Sequence, residues 1–158
     1  MRDAQAKGVP MTEKLDKKEN LWIGSNLMHT LTTPVIEVAG DGQTAKGVWY
    51  SPGFLTIAAR GKLNAFWFFE RYAVDFIKEE GEWKIWHQRV LTDFRTPYDK
   101  SWVETSIQRM ERSAPASRRS SNWIQRDKPY KEYSPLTVPQ YEPGPPKPYN
   151  TFDEVDRY

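Results

Sequence analysis

The clearest pattern in the chain is β-type alternation between about Leu27 and Phe94, set between two more polar ends. Thr33-Pro34-Val35-Ile36-Glu37-Val38-Ala39 is rich in β-branched residues and stops at Gly40-Asp41-Gly42, where glycine admits the positive φ of a tight turn. Thr44 to Tyr50 reads as the returning strand. Ser51-Pro52-Gly53 then predicts an edge, a bulge or a break, because proline cannot donate to a ladder, and Phe54 to Ala58 resumes the pairing. A third strand, Leu63 to Lys78, carries apolar residues on both alternations, which predicts cover on both faces. Glu79-Glu80-Gly81-Glu82 is the next turn, and Trp83 to Phe94 the fourth strand. Without a bulge, Trp83, Ile85, His87, Arg89 and Leu91 share one face, and Trp86, Val90 and Phe94 the other. Strands longer than the usual ~5–6 residues imply a curved sheet.

The ends read differently. Residues 1–26 form a polar lead-in whose Lys14 to Asn20 stretch has a single leucine, too little for a buried helical face. Residues 27–112 hold the sheet and a short helix, Lys100 to Arg112, with Trp102, Ile107 and Met110 as its apolar contacts. Residues 113–158 are a third unit. Eight of the twelve prolines and five of the eight tyrosines lie there. Proline favours extended chain, while purely solvating segments are poor in aromatics. An extended arm lying over the domain or a neighbouring subunit is therefore expected.

Composition narrows the class. Hydrophobic residues make up 38% and charged residues 28%, as in a folded, water-soluble chain, and 22 aromatic residues supply large apolar area from few positions. A net charge of +2 gives no nucleic-acid surface, and Arg118-Arg119 sits in a Ser-rich stretch that reads as solvated loop. Absence of cysteine excludes disulfides and thiolate chemistry. No apolar run approaches the ~18 residues of a membrane span, and a signal-peptide core is not apparent, so a cytoplasmic location is the default.

Three strings resemble the SnoaL-like branch of the nuclear transport factor 2-like superfamily. They are Met28-His29-Thr30-Leu31-Thr32-Thr33-Pro34-Val35-Ile36-Glu37-Val38, Gly40-Asp41-Gly42-Gln43-Thr44-Ala45-Lys46-Gly47-Val48-Trp49, and the stretch from Tyr72 to His87 containing Gly81-Glu82-Trp83-Lys84-Ile85. The resemblance implies an α+β fold, a curved antiparallel sheet of a cone-shaped, cystatin-like architecture. It implies a pocket His at His29 and a cofactor-independent lyase (dehydratase) or isomerase acting on a small cyclic hydrophobic molecule. Members place two or three helices ahead of the sheet to cap the cone, and these usually include a Tyr and an Asp. Here a short polar segment precedes His29. A homo-oligomer or a second polypeptide is therefore expected to supply the lid.

Candidate chemistry follows. His29 is the leading catalytic residue, since neutral imidazole moves protons near neutral pH; the alternative is a strand-end His with a structural hydrogen bond. Trp49, Tyr50, Phe68, Glu70, Tyr72, His87 and Arg89 are candidates for lining the pocket. Glu70 and Tyr72 fall on one alternation and Asp75 on the other. A carboxylate buried among aromatics has a raised pKa and can act as acid or base, whereas exposed cross-strand charge is the alternative. His87 shares its alternation with Arg89 and Asp93, either as a polar cluster or as a satisfied sheet His. The stripe Trp49, Phe66, Phe68, Trp83 and Trp86 is expected in the core. Two His give no metal-ligand spacing, and no phosphate-cradling loop or nucleophile elbow is present. A non-catalytic binding or assembly subunit is the alternative function.

Overall fold

A computed structural model describes residues 23–59, 62–112, 130, 132–139 and 142–158. The elements are β1 (Asn26–His29), β2 (Val35–Val38), β3 (Thr44–Ala59), β4 (Lys62–Glu79), β5 (Glu82–Pro97) and helix α1 (Trp102–Arg112). Strands β3, β4 and β5 form a long antiparallel meander, and β1 and β2 lie one after the other along the outer edge of β3. The fold is mostly antiparallel sheet, with one helix among the described residues. The lead-in before Ile23 and the Arg118-Arg119 stretch lie outside the described residues.

Local chemistry accounts for the turns. Glu79 pairs with Glu82, and the two residues between them, Glu80 and Gly81, both have positive φ (52° and 86°). That is the type I′ geometry whose twist suits a two-residue hairpin, and the glycine adopts it without Cβ strain. At the β2–β3 turn the Asp41 carboxylate accepts the Gln43 N–H at 2.9 Å.

Pro52 does not interrupt β3; of the edge, bulge or break expected there, it occupies an edge. The Pro52 carbonyl accepts the Thr30 N–H, and the Tyr50 carbonyl accepts the Thr32 N–H at 3.0 Å. Both carbonyls point to the outer edge, and in a strand the nitrogen of the same residue points with its carbonyl. The missing donor of Pro52 thus falls at the gap between β1 and β2 and costs the β3–β4 ladder nothing. The same gap ends β1 at His29.

Two bulges reset the faces of β5. Register shifts between Asp75 and Phe76, and between Phe69 and Glu70, leave Trp86 and Asp93 as the extra residues on β5. Simple alternation is therefore wrong for this strand. Trp83 and Ile85 share a face with Val90, while Trp86, His87, Arg89, Leu91 and Phe94 face the other way. Each extra residue meets the C-terminal arm side: Trp86 packs on Phe152 at 4.5 Å, and Asp93 binds Arg71 and Tyr130.

The arm covers that second face, here called the arm face. Val48, Ala73 and Leu91 form its buried apolar centre, with Tyr130 and Tyr158 packed against them. Arg71, 1% exposed, donates to both Asp93 oxygens at 3.0 and 3.2 Å and to the Tyr130 hydroxyl at 3.0 Å. Two same-face steps along β4 from Arg71, Lys46 Nζ binds Asp75 Oδ1 at 2.9 Å and the Asp156 carbonyl at 2.6 Å. Its ammonium also lies 4.8–5.9 Å from the centres of the Tyr158, Phe152 and Tyr149 rings. Backbone bonds from Gly40 and Asp41 to the carbonyls of Tyr149 and Asn150 complete the attachment.

Helix α1 starts at Trp102 and not Lys100 because Ser101 caps it, accepting the Val103 N–H at 3.1 Å. Trp102 stacks on Phe94, and the buried Thr96 hydroxyl meets Thr105 Oγ1 at 2.7 Å. The aromatic stripe is not uniformly core. Phe68 is buried and Trp49 and Phe66 are half-buried, but Trp83 and Trp86 are exposed. No described helix is long and apolar enough to cross a membrane.

Candidate active site

The face opposite the arm carries His29. At the last residue of β1, His29 pairs with Gly53 of β3, and Gly53 pairs onward with Phe68 of β4. A Cβ at position 53 would lie 2.3 Å from both the Met28 carbonyl and the Phe68 ring. Glycine there lets the phenyl ring fold over the strand, and His29 rests on that ring at 4.7 Å between centroids. Glu70 and Tyr72 follow Phe68 at two-residue steps and so project on the same side.

These steps bring three polar groups together. His29 Nδ1 lies 3.1 Å from the Tyr72 hydroxyl and 3.1 Å from Glu70 Oε2. The Tyr72 contact is a hydrogen bond. The Glu70 contact is close but off the line of an N–H, so Oε2 is a buried carboxylate oxygen with no aligned donor. Glu70 Oε1 accepts the Thr92 hydroxyl at 2.9 Å, which fixes the carboxylate plane. Ser51, the β3 partner of Glu70, is fully buried, and its Oγ also lacks a partner. Burial, aided by the Glu70 charge, pushes the Tyr72 hydroxyl above the ordinary tyrosine value and keeps it protonated.

The arrangement gives Nδ1 a donor on one side and an acceptor on the other. If Tyr72 donates to Nδ1, the ring carries its proton on Nε2. If Nδ1 carries the proton and turns it to Glu70, Nε2 is a base. A carboxylate beside the ring also stabilises the imidazolium formed after proton uptake.

Five of the predicted residues share this face: His29, Trp49, Phe68, Glu70 and Tyr72. Trp49 pairs with Tyr72 across β3–β4 and sets its ring edge-on against Phe76 at 6.1 Å. Tyr50, His87 and Arg89 lie on the arm face, separated from His29 by the sheet. For Tyr50 the reason is alternation, since it neighbours Trp49 in β3. For His87 it is the pairing with Asp75, whose Oδ2 lies 3.3 Å from Nδ1, and the ring stacks on Trp86 at 4.5 Å. Arg89 pairs with Ala73 on that side. Thr92 and Ser51 were missed by sequence reasoning. Thr92 comes into phase with Glu70 through the bulge at Trp86, and no local pattern marks either residue.

A separate cavity of about 530 Å³ opens on the arm face, with Tyr50, Phe69 and Phe94 in its wall. Among the described residues no group of three His, Asp, Glu or Cys side chains is placed to hold a metal ion.

Residues 11–89 match the SnoaL-like domain model. The chain belongs to the SnoaL-like family. Its antiparallel sheet with one described helix agrees with the nuclear transport factor 2-like fold that this family adopts. The matched segment of this SnoaL-like chain contains His29, Glu70 and Tyr72 and ends at Arg89. The part from residue 11 to 22 precedes the described residues. Comparison with curated proteins gives no match.

Proposed function

We propose that this SnoaL-like chain is a cofactor-independent lyase or isomerase that moves a proton with His29 on a small cyclic hydrophobic molecule. The observation that carries the reading is the pair of 3.1 Å contacts at His29 Nδ1, one to a hydroxyl and one to a carboxylate. In this reading Nε2 takes a proton from a carbon next to a carbonyl, and the electron pair of the broken C–H bond moves into the enolate. Glu70 stabilises the resulting imidazolium. Return of the proton to a departing β-hydroxyl expels water, whereas its return to another carbon completes an isomerisation. Both routes balance without a co-reactant. Phe68, Trp49 and Tyr72 would form the wall against which a flat ring rests.

The test does not need the natural substrate. Cyclic ketones and β-hydroxyketones are incubated with the full chain in D₂O, and exchange at the α-carbon is followed by proton NMR. Accelerated exchange that falls roughly 10²–10⁴-fold in His29→Ala supports the reading. No exchange with any of the panel, or equal exchange by His29→Ala, would sink it.

A second reading, a ligand-binding or assembly subunit completed by another chain, has its own support. Leu27, Ile36, Val38, Ile85 and Val90 all project on the His29 face and are 47–62% exposed. Contiguous apolar surface of this kind is uncommon on soluble monomers. A homo-oligomer or a second polypeptide would cover it. Sedimentation velocity separates the cases: a monodisperse monomer that catalyses exchange removes the need for a covering chain.

A further inference from the structure

The arm-face cavity is a candidate site in its own right, independent of His29. Its floor is aromatic and rigid. Phe69 and Phe94 stack at 6.1 Å with planes 17° apart, Tyr50 leans on Phe69 at 5.8 Å, and Phe94 is backed by Trp102 of α1. Its far wall comes from the arm, where the Tyr133 N–H donates to the Asp93 carbonyl at 2.8 Å. The turn that follows is held by Ser134 Oγ accepting the Leu136 N–H at 3.2 Å. Sheet, helix and arm are thus fastened to one another around the space, and Glu132 in the wall is ion-paired with Arg109 of α1.

The polar content of the lining selects the chemistry. Asp93 and Glu132 line the cavity, and their carboxylates already have cationic partners, Arg71 and Arg109. A carboxylate so paired keeps lone pairs that accept from an N–H or O–H, and none of the described lining residues is a cation that would draw an anion in. A cavity of about 530 Å³ has room for two or three fused or linked rings, within the ~300–1,000 Å³ typical of small-molecule pockets. Flat rings also match the stacked phenyl surfaces.

We infer that the cleft between the sheet and the C-terminal arm binds a flat, largely apolar, uncharged ring compound that carries an N–H or O–H donor. The ring lies along Phe69 and Phe94 and the donor meets the Asp93 or Glu132 carboxylate. The site is on the opposite side of the sheet from His29, so its ligand is not the molecule His29 would act on.

The probe is N-phenyl-1-naphthylamine, an uncharged two-aryl amine with one N–H that fluoresces in apolar surroundings. It is titrated into the full chain, with anilinonaphthalene sulfonate as the anionic counterpart. Saturable binding of the neutral dye, at least tenfold tighter than the anionic one, is expected. Thr137→Trp, at an exposed turn residue, fills the cavity from the arm side and should weaken binding at least tenfold. Tyr50→Ala removes a wall ring and should weaken it as well, should the first variant not fold by circular dichroism. Ile85→Lys, on the His29 face, should bind as wild type does. Absence of saturable binding, preference for the anion, equal binding by the wall variants, or loss in Ile85→Lys alone would each overturn the assignment.

Discussion

Replacing Lys46 by methionine tests whether the arm is held down by buried charge. The lysine side chain is 8% exposed and its partner Asp75 is fully buried. Lys46→Met keeps most of the stem's volume but leaves a carboxylate out of water with the Tyr158 N–H at 3.0 Å and His87 at 3.3 Å. Removing one member of a buried pair costs about 3–5 kcal/mol, because the survivor's desolvation is no longer offset. The two remaining neighbours of Asp75 favour the lower end, so about 3 kcal/mol is expected, with the loss of the ring contacts around Nζ included. For a chain of this length that corresponds to a fall in Tm of about 6–12 °C. Urea denaturation gives the free energy, and Asp75→Asn completes a double-mutant cycle. In the Lys46→Met background, Asp75→Asn should recover about half of the loss, since a neutral amide can still accept from Tyr158. A loss below about 1 kcal/mol in Lys46→Met, or simple additivity of the two changes, would refute the pairing as the anchor.

Three other substitutions probe separate parts of the molecule. Gly53→Ala sets a methyl 2.3 Å from the Met28 carbonyl and the Phe68 ring, so it should cost about 2–3 kcal/mol in thermal unfolding and abolish any His29-dependent exchange. Thr96→Val removes a buried hydroxyl bonded to Thr105 and to the Lys100 carbonyl, and should cost about 1–2 kcal/mol while leaving the sheet's circular dichroism intact. Burial and the Asp93 carboxylate push the Tyr130 hydroxyl from 10.0 to about 12. The unfolded chain therefore loses that proton first. Its stabilising contribution is complete below pH 10 and is lost as pH rises toward 12, and Tyr130→Phe should flatten this alkaline fall in urea midpoint. An unchanged pH slope in Tyr130→Phe would remove Tyr130 from the account.

Much of the sheet was legible because its signals are local. The Gly40-Asp41-Gly42 and Glu80-Gly81 turns and the alternation between them fix three strands and their order. Pairing direction decided what the sequence could not. Pro52 looks like a break until its nitrogen is known to face the gap beyond β1, and β1 itself, only four residues long, has too little pattern to stand out. The site was legible in part for the same reason. Glu70 and Tyr72 share an alternation that can be counted, and the resemblance supplied His29. His87 and Arg89 could not be assigned to a side without the register of β4 against β5, whereas Tyr50, next to Trp49 in β3, is set apart by alternation.

The two bulges on β5 tie these outcomes together. Each adds one residue to β5 alone, so everything between Trp86 and Asp93 is carried to the face opposite that expected from Trp83 and Ile85. Without the first, His87 would join the His29 side and leave Asp75 without its neighbour. Without the second, Phe94 would fall opposite Phe68 on the His29 face and lose its stack on Phe69. The bulges therefore sort polar groups by use. The arm face receives Lys46, Arg71, Asp75 and Asp93, paired in the interior, where they fasten the arm. The His29 face keeps one carboxylate, one imidazole and one phenol, with the carboxylate oxygen Oε2 and the Ser51 hydroxyl unpaired. Buried polar atoms left unpaired cost stability, about 1–3 kcal/mol each. Two of the three such atoms among the described residues lie on the face that carries His29, the third being His87 Nδ1 beside Asp75 on the arm face, and a carboxylate oxygen and a hydroxyl left open around one imidazole are what a site kept free for a ligand requires.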